Sequence, residues 1–157
     1  MGSLTRSFTL GLAVGGRSSV ALTVPLAVAT RGRSGAVAVL LRSAGRLAVA
    51  GEVVGDKLPD TPSRLDRPVF LARLVAGGVG ALGLALAERR PSASVVLAIP
   101  VGVAGAYVGS FAGHTWRTWA AQDGPAWARP DTRAAALEDA LVLATSARLL
   151  RSAPREV

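Results

Sequence analysis

The chain contains no cysteine in 157 residues, so neither a disulfide framework nor a thiolate metal site holds it together. Histidine occurs once, at His114, which leaves no second imidazole to complete a transition-metal site. No metal and no cofactor are therefore expected. There is no glycine-rich phosphate loop of the P-loop pattern, and no base placed to activate a serine. Catalytic residues are expected to be none, and enzymatic activity is not expected. Aromatic residues are scarce at 4% and charged residues make up 18%, against about 25% charge in an ordinary soluble domain.

What is present in quantity is Ala, Val, Leu and Gly. Half the residues are hydrophobic and the mean hydropathy is +0.41. Eighteen glycines are many for a soluble helical protein but suit helices that approach closely in a bilayer. The formal net charge is +8, carried almost wholly by arginine, since Lys57 is the one lysine. These basic residues are scattered through apolar segments and not gathered on one polar face. A nucleic-acid partner is therefore not expected, and membrane lipids, whose anionic head groups the excess charge would hold, are.

Five apolar segments can be marked, at about 8–29, 36–55, 69–87, 94–113 and 132–150. Each has roughly the length that spans a ~30 Å hydrocarbon layer as helix. The third and fourth carry almost no central charge, so they insert unaided by the transfer scale, on which each large apolar residue gains about 0.3–0.6 kcal/mol. Glu88-Arg89-Arg90-Pro91-Ser92 between them reads as the turn of an antiparallel hairpin. The second segment holds Arg42, Arg46 and Glu52, and each such charge costs about 2.5–3.5 kcal/mol at mid-membrane. It needs neighbours that pair its charges. The first is broken by Gly15-Gly16-Arg17-Ser18-Ser19; Arg6 and Ala27-Val28-Ala29 suggest a signal peptide, but the break interrupts its core, so a retained first helix is expected. Counted over such a five-span layout, the positive-inside rule gives a tie.

The expected fold is all-α: a polytopic membrane helix bundle of four to five transmembrane helices, in one integral membrane domain. Its first half runs over about 8–58, a charged Pro-rich loop over about 56–68, and its second half over about 69–150. Gly11–Gly15 echoes Gly102–Gly105, and Ala50-Gly-Glu52 with Asp56 echoes Ala136-Leu-Glu138-Asp139, which suggests an inverted repeat. Gly105, Gly109 and Gly113 share a helix face, as do Gly77, Gly80 and Gly83; both are expected to pack helices and to support a homo-oligomer. Pro100 should kink the fourth helix or mark a local opening of its hydrogen bonding. Trp116, Trp119 and Trp127 read as interfacial anchors.

Charges in or beside apolar segments need a partner or a task. Arg17, Glu52, Asp56, Lys57, Glu138 and Asp139 are the candidate polar intramembrane site. Arg17 beside a helix break would either bind an anion or pair with one of the four carboxylates. Glu52 and Asp56, four apart, share one face, where two carboxylates repel and would suit a shared proton or a cation. Pairing with arginine would serve as well.

At Glu52-x-x-x-Asp56-Lys57-x-Pro59-x-x-Pro62-Ser63-Arg64-x-x-Arg67-Pro68 the chain resembles the small bacterial integral membrane proteins grouped as domain of unknown function 4126. The likeness extends to Gly16-Arg17-Ser18, to Arg73 with the glycine-rich stretch after it, and to Glu138-Asp139. It implies a multi-pass protein of the bacterial inner (plasma) membrane with no established activity. Two function classes follow as expectations: a small transporter or channel-like protein with a polar site inside the bundle, or a structural or assembly protein whose buried charges only pair helices.

Overall fold

The computed structural model describes residues 1–55 and 65–154. Asp56 and Lys57 of the candidate site, and Pro59, Pro62, Ser63 and Arg64 of the loop motif, lie outside the described residues. Within them all regular structure is helical: α1 Ser3–Gly16, α2 Val20–Ala29, α3 Ala36–Gly55, α4 Arg67–Ala87, α5 Ser92–Gln122 and α6 Asp131–Arg151. The all-α expectation holds.

The first apolar segment departs from expectation. It is two helices and not one. Arg17 takes an extended backbone (φ −138°, ψ 116°), so α1 ends after Gly16, the chain reverses, and α2 starts at Val20. At 1.5 Å per residue α1 is about 21 Å long and α2 about 15 Å, so neither matches a ~30 Å layer. Contacts fix the directions. Arg6 near the start of α1 reaches Leu149 near the end of α6, and Arg31 after α2 reaches Leu150 and Ala153. Both ends of the α1–α2 hairpin therefore lie at one end of the bundle, with the α4–α5 turn and the C-terminus of α6. Its tip points toward the other end. The tie in positive charge rested on the first segment running straight; the hairpin puts Arg6 at the same end of the bundle as Arg31 and Arg33.

Close packing explains the glycines. A Cβ on Gly11 would strike the Gly102 carbonyl, one on Gly105 the Phe8 carbonyl, and one on Gly109 the Leu12 carbonyl. On the other side of α5, a Cβ on Gly77 would lie 2.5 Å from that of Ala106. The three helices α1, α4 and α5 thus touch backbone to backbone, an approach that only glycine permits. At Gly77, Gly80, Gly105 and Gly109 these faces are filled by other helices of the same chain. Residue numbers rise together along the α1–α5 contact, so these helices are parallel, whereas α3 and α6 run oppositely. One inversion cannot relate both pairs, and the expected inverted repeat is not what the fold contains. α5 continues as helix through Pro100.

An apolar core centred on Leu10, Val14, Val24, Leu84 and Leu149 is buried, and large apolar side chains also lie on the outside. Leu71, Val75, Val79 and Leu86 form an outward stripe on α4, between 57% and 64% exposed. The opposite stripe, Gly77, Gly80, Ala81, Leu84 and Ala85, is buried together with Arg73. Large apolar side chains also face outward on α3, α5 and α6, including Leu40, Val96, Phe111 and Leu141. Helices α4 and α5 are long and apolar enough to cross a membrane, each containing an 18-residue window of mean hydropathy 2.0 and 1.9 respectively.

Candidate functional site

The α1–α2 turn creates two helix ends within three residues. A helix C-terminus leaves carbonyls unpaired, and an N-terminus leaves amides unpaired. Buried, each such group costs free energy unless a partner is supplied. The chain supplies them from two other helices. Arg73 of α4, itself buried, donates from Nη1 to the carbonyls of Gly15 (2.7 Å) and Gly16 (3.1 Å) at the end of α1. Glu52 of α3 accepts at Oε1 from the Ser18 amide (2.7 Å) and at Oε2 from the Ser19 amide (2.9 Å), just ahead of α2. Signs match the helix dipoles: a cation at the C-terminus and a carboxylate at the N-terminus.

Arg17, at the tip, turns to α6. Its Nε and Nη2 donate to Asp139 Oδ1 and Oδ2, both at 2.6 Å, in the fork-to-fork geometry that arginine and carboxylate favour. Glu138 is buried one residue earlier, beside Gly16, where a Cβ would lie 3.5 Å from Glu138 Oε1. Arg117 of α5 stands 3.8 Å from Glu138 Oε2 and 2.6 Å from Asp131 Oδ2. Of the sequence-derived candidates, Arg17, Glu52, Glu138 and Asp139 therefore converge around the hairpin tip. The i, i+4 carboxylate pair is described only at Glu52, whose two oxygens are both engaged by amides. Of the two expectations for Arg17, the described geometry has the pairing with a carboxylate: Asp139 engages the guanidinium, and Glu52 occupies the neighbouring amides.

Tryptophan placement is mixed. Trp119 and Trp127 are exposed, 44% and 54%, while Trp116 is half-buried and donates from Nε1 to the Ala134 carbonyl at 3.0 Å. His114 is exposed.

Sequence reasoning missed two features. Arg73 stands out in the sequence only through the family resemblance, and not as the group that caps α1. Its signal is phase: it is spaced four, eight and eleven residues from Gly77, Ala81 and Leu84, on the stripe that α4 buries. The second is a cluster at the opposite end, inside what reads as a polar turn. Arg6 Nε donates to Glu88 Oε1 (2.7 Å), Arg90 Nε donates to Glu88 Oε2 (2.8 Å), and Arg90 Nη1 donates to Ser7 Oγ (2.8 Å). Arg6 also donates to the Leu149 carbonyl (2.9 Å) and to Ser152 Oγ. The side chains of Arg6, Glu88 and Arg90 are 3%, 2% and 5% exposed, so two arginines share one carboxylate away from water. Arg6 lies in phase with Leu10 and Val14, which are fully buried, and that spacing is the available signal.

The turn that carries Glu88 is built for this. The Arg89 amide bonds to the Leu86 carbonyl and the Arg90 amide to the Ala85 carbonyl, the double closure of a Schellman end. That motif places its next residue in the left-handed region, usually as glycine; here it is Arg89, at φ 50°.

Comparison with known protein families, with curated proteins and with solved structures finds no match to this chain. Its function is therefore argued from its own geometry.

Proposed function

We propose that the chain is a multi-pass integral membrane protein of transporter or channel-like kind, with the tip of the α1–α2 hairpin as its polar site. The observation that carries this reading is the tip itself. It sits level with Arg73, six residues into α4, or about 9 Å from that helix's start at 1.5 Å per residue. If α4 spans the hydrocarbon, the hairpin enters from one face, turns about two-thirds of the way across, and returns. Irregular backbone at such depth is tolerated where protein buries it or where it lines a cavity. Paired half-helix ends meeting charged groups are also how many transporters build their sites. The outward-facing apolar side chains of α3 to α6 suit a lipid environment. On this reading α3, α4, α5 and α6 are the spanning helices and α1–α2 is re-entrant. Arg17, Glu52, Glu138 and Asp139 form the polar site, with Asp56 and Lys57 following Glu52 in sequence.

A second reading is a structural or assembly protein whose charges only hold helices together. The two-point Arg17–Asp139 pairing and the doubly engaged Glu52 favour it.

The two differ in water access, and the absence of cysteine makes the test clean. A single cysteine at Ser18 is expected to react with a membrane-impermeant thiol reagent. In the structural case Ser18→Cys stays unreactive. Arg17→Asp and Asp139→Arg then each lower abundance, and the double exchange restores it.

A further inference from the structure

A cleft of about 830 Å³ opens between the C-terminal ends of α2 and α4, on the side of the bundle where the hairpin begins and ends. This lies within the ~300–1,000 Å³ typical of ligand sites. Its walls are apolar, made by Pro25, Leu26 and Val28 on one side and Gly83, Leu86 and Ala87 on the other. Its mouth is cationic, with Arg31, Arg33 and Arg89. We propose that this cleft binds an anionic phospholipid, with the phosphate at the arginines and an acyl chain along α2 and α4. The proposal rests on the membrane reading above but on none of the residues at the hairpin tip.

Three observations support it. The apolar wall is continuous with outward-facing side chains, since Leu86 is 59% exposed, so a chain lying in the cleft joins the surrounding lipid phase. Gly83 keeps the groove open: a Cβ there would meet only Pro25, at 3.4 Å, in ordinary contact. The mouth concentrates positive charge where neighbouring helix ends are already satisfied. Arg31 donates to the Leu150 and Ala153 carbonyls, and Arg42 takes the Thr30 and Arg33 carbonyls, so the Arg33 side chain is not needed to close a helix. Basic pockets between membrane helices are known to take anionic head groups. A soluble phosphate compound would need the arginines but not the apolar groove.

The test uses the full chain purified in detergent, with native mass spectrometry and thermal melting on addition of phosphatidylglycerol, phosphatidylcholine or glycerol phosphate. Phosphatidylglycerol should be retained and should raise the melting temperature, and the other two should not. Arg33→Gln is expected to weaken phosphatidylglycerol binding about fivefold, and Arg31→Gln with Arg33→Gln about thirtyfold, at roughly 1 kcal/mol per arginine. Gly83→Leu, which fills the groove and leaves every charge in place, should weaken it as well. Equal retention of both lipids, or full competition by glycerol phosphate, overturns the proposal. So does unchanged binding by Arg33→Gln and Gly83→Leu. Alkaline carbonate extraction separates the two levels: a protein released from membranes defeats the membrane reading, and the lipid site with it. A protein retained in membranes that shows no lipid preference defeats the lipid site alone.

Discussion

Gly105→Leu should abolish the folded bundle. The added side chain would have to occupy the position of the Phe8 carbonyl, with the Leu12 amide nitrogen 2.9 Å from its Cβ. Overpacking typically costs about 1–3 kcal/mol where side chains can yield, and here the obstacle is backbone, so a cost above ~3 kcal/mol is expected. Relief requires α1 and α5 to separate, which would also pull α1 off Arg73 and α6. Gly51→Leu is the matched control. It lies on α3, where a Cβ meets nothing within 4 Å, and loss of a helix glycine should change stability by no more than about 1 kcal/mol in the favourable direction. Thermal melting and monodispersity of the two variants in detergent distinguish the outcomes. Similar behaviour would mean that the glycines do not set the helix spacing.

The second large effect concerns Glu88. Glu88→Gln leaves Arg6 and Arg90 facing each other in a site where their side chains are 3% and 5% exposed. Removing one partner of a buried ionic cluster costs about 3–5 kcal/mol, because the remaining charges are uncompensated. Replacing all three residues by methionine should be far milder, and by analogy with other buried triads neutral or stabilising by up to ~4 kcal/mol. That contrast is the informative result. If Glu88→Gln melts at the same temperature as the parent, the three side chains are not the clamp that joins α1, the α4–α5 turn and α6. A triple variant as damaged as the single one would also exclude an ionic clamp, since packing and not charge would then dominate.

Much of the helix inventory was legible. The segments at about 36–55, 69–87 and 132–150 match α3, α4 and α6 to within two residues, because apolar runs bounded by Gly, Pro and charge mark helices well. The fourth reads short, at about 113, while α5 runs to Gln122. Hydropathy stops counting at polar residues, but backbone hydrogen bonding continues through Thr115, Trp116 and Arg117. The hairpin was not legible as such. A run of 22 residues at about 8–29 has the same composition whether it continues straight or folds at Gly16. The break was visible; its consequence, a reversal of direction, depends on Arg73 and Glu52, which are distant in sequence. For the same reason the sequence offered four carboxylates for Arg17 and could not choose Asp139, which lies 122 residues away. The inverted repeat failed because short Ala/Gly strings repeat wherever helices pack closely, whatever their direction.

The central claim is that α1 and α2 form a hairpin entering from one face, so that the first apolar segment does not cross. Single cysteines at Ser3, Ser34, Ser92 and Gln122 test it, because all four positions are exposed. With an impermeant thiol reagent applied to oriented vesicles, Ser3, Ser34 and Ser92 are expected to label from one and the same side, and Gln122 from the other. Labelling of Ser3 and Ser34 from opposite sides would contradict the hairpin and restore a single spanning helix over that segment.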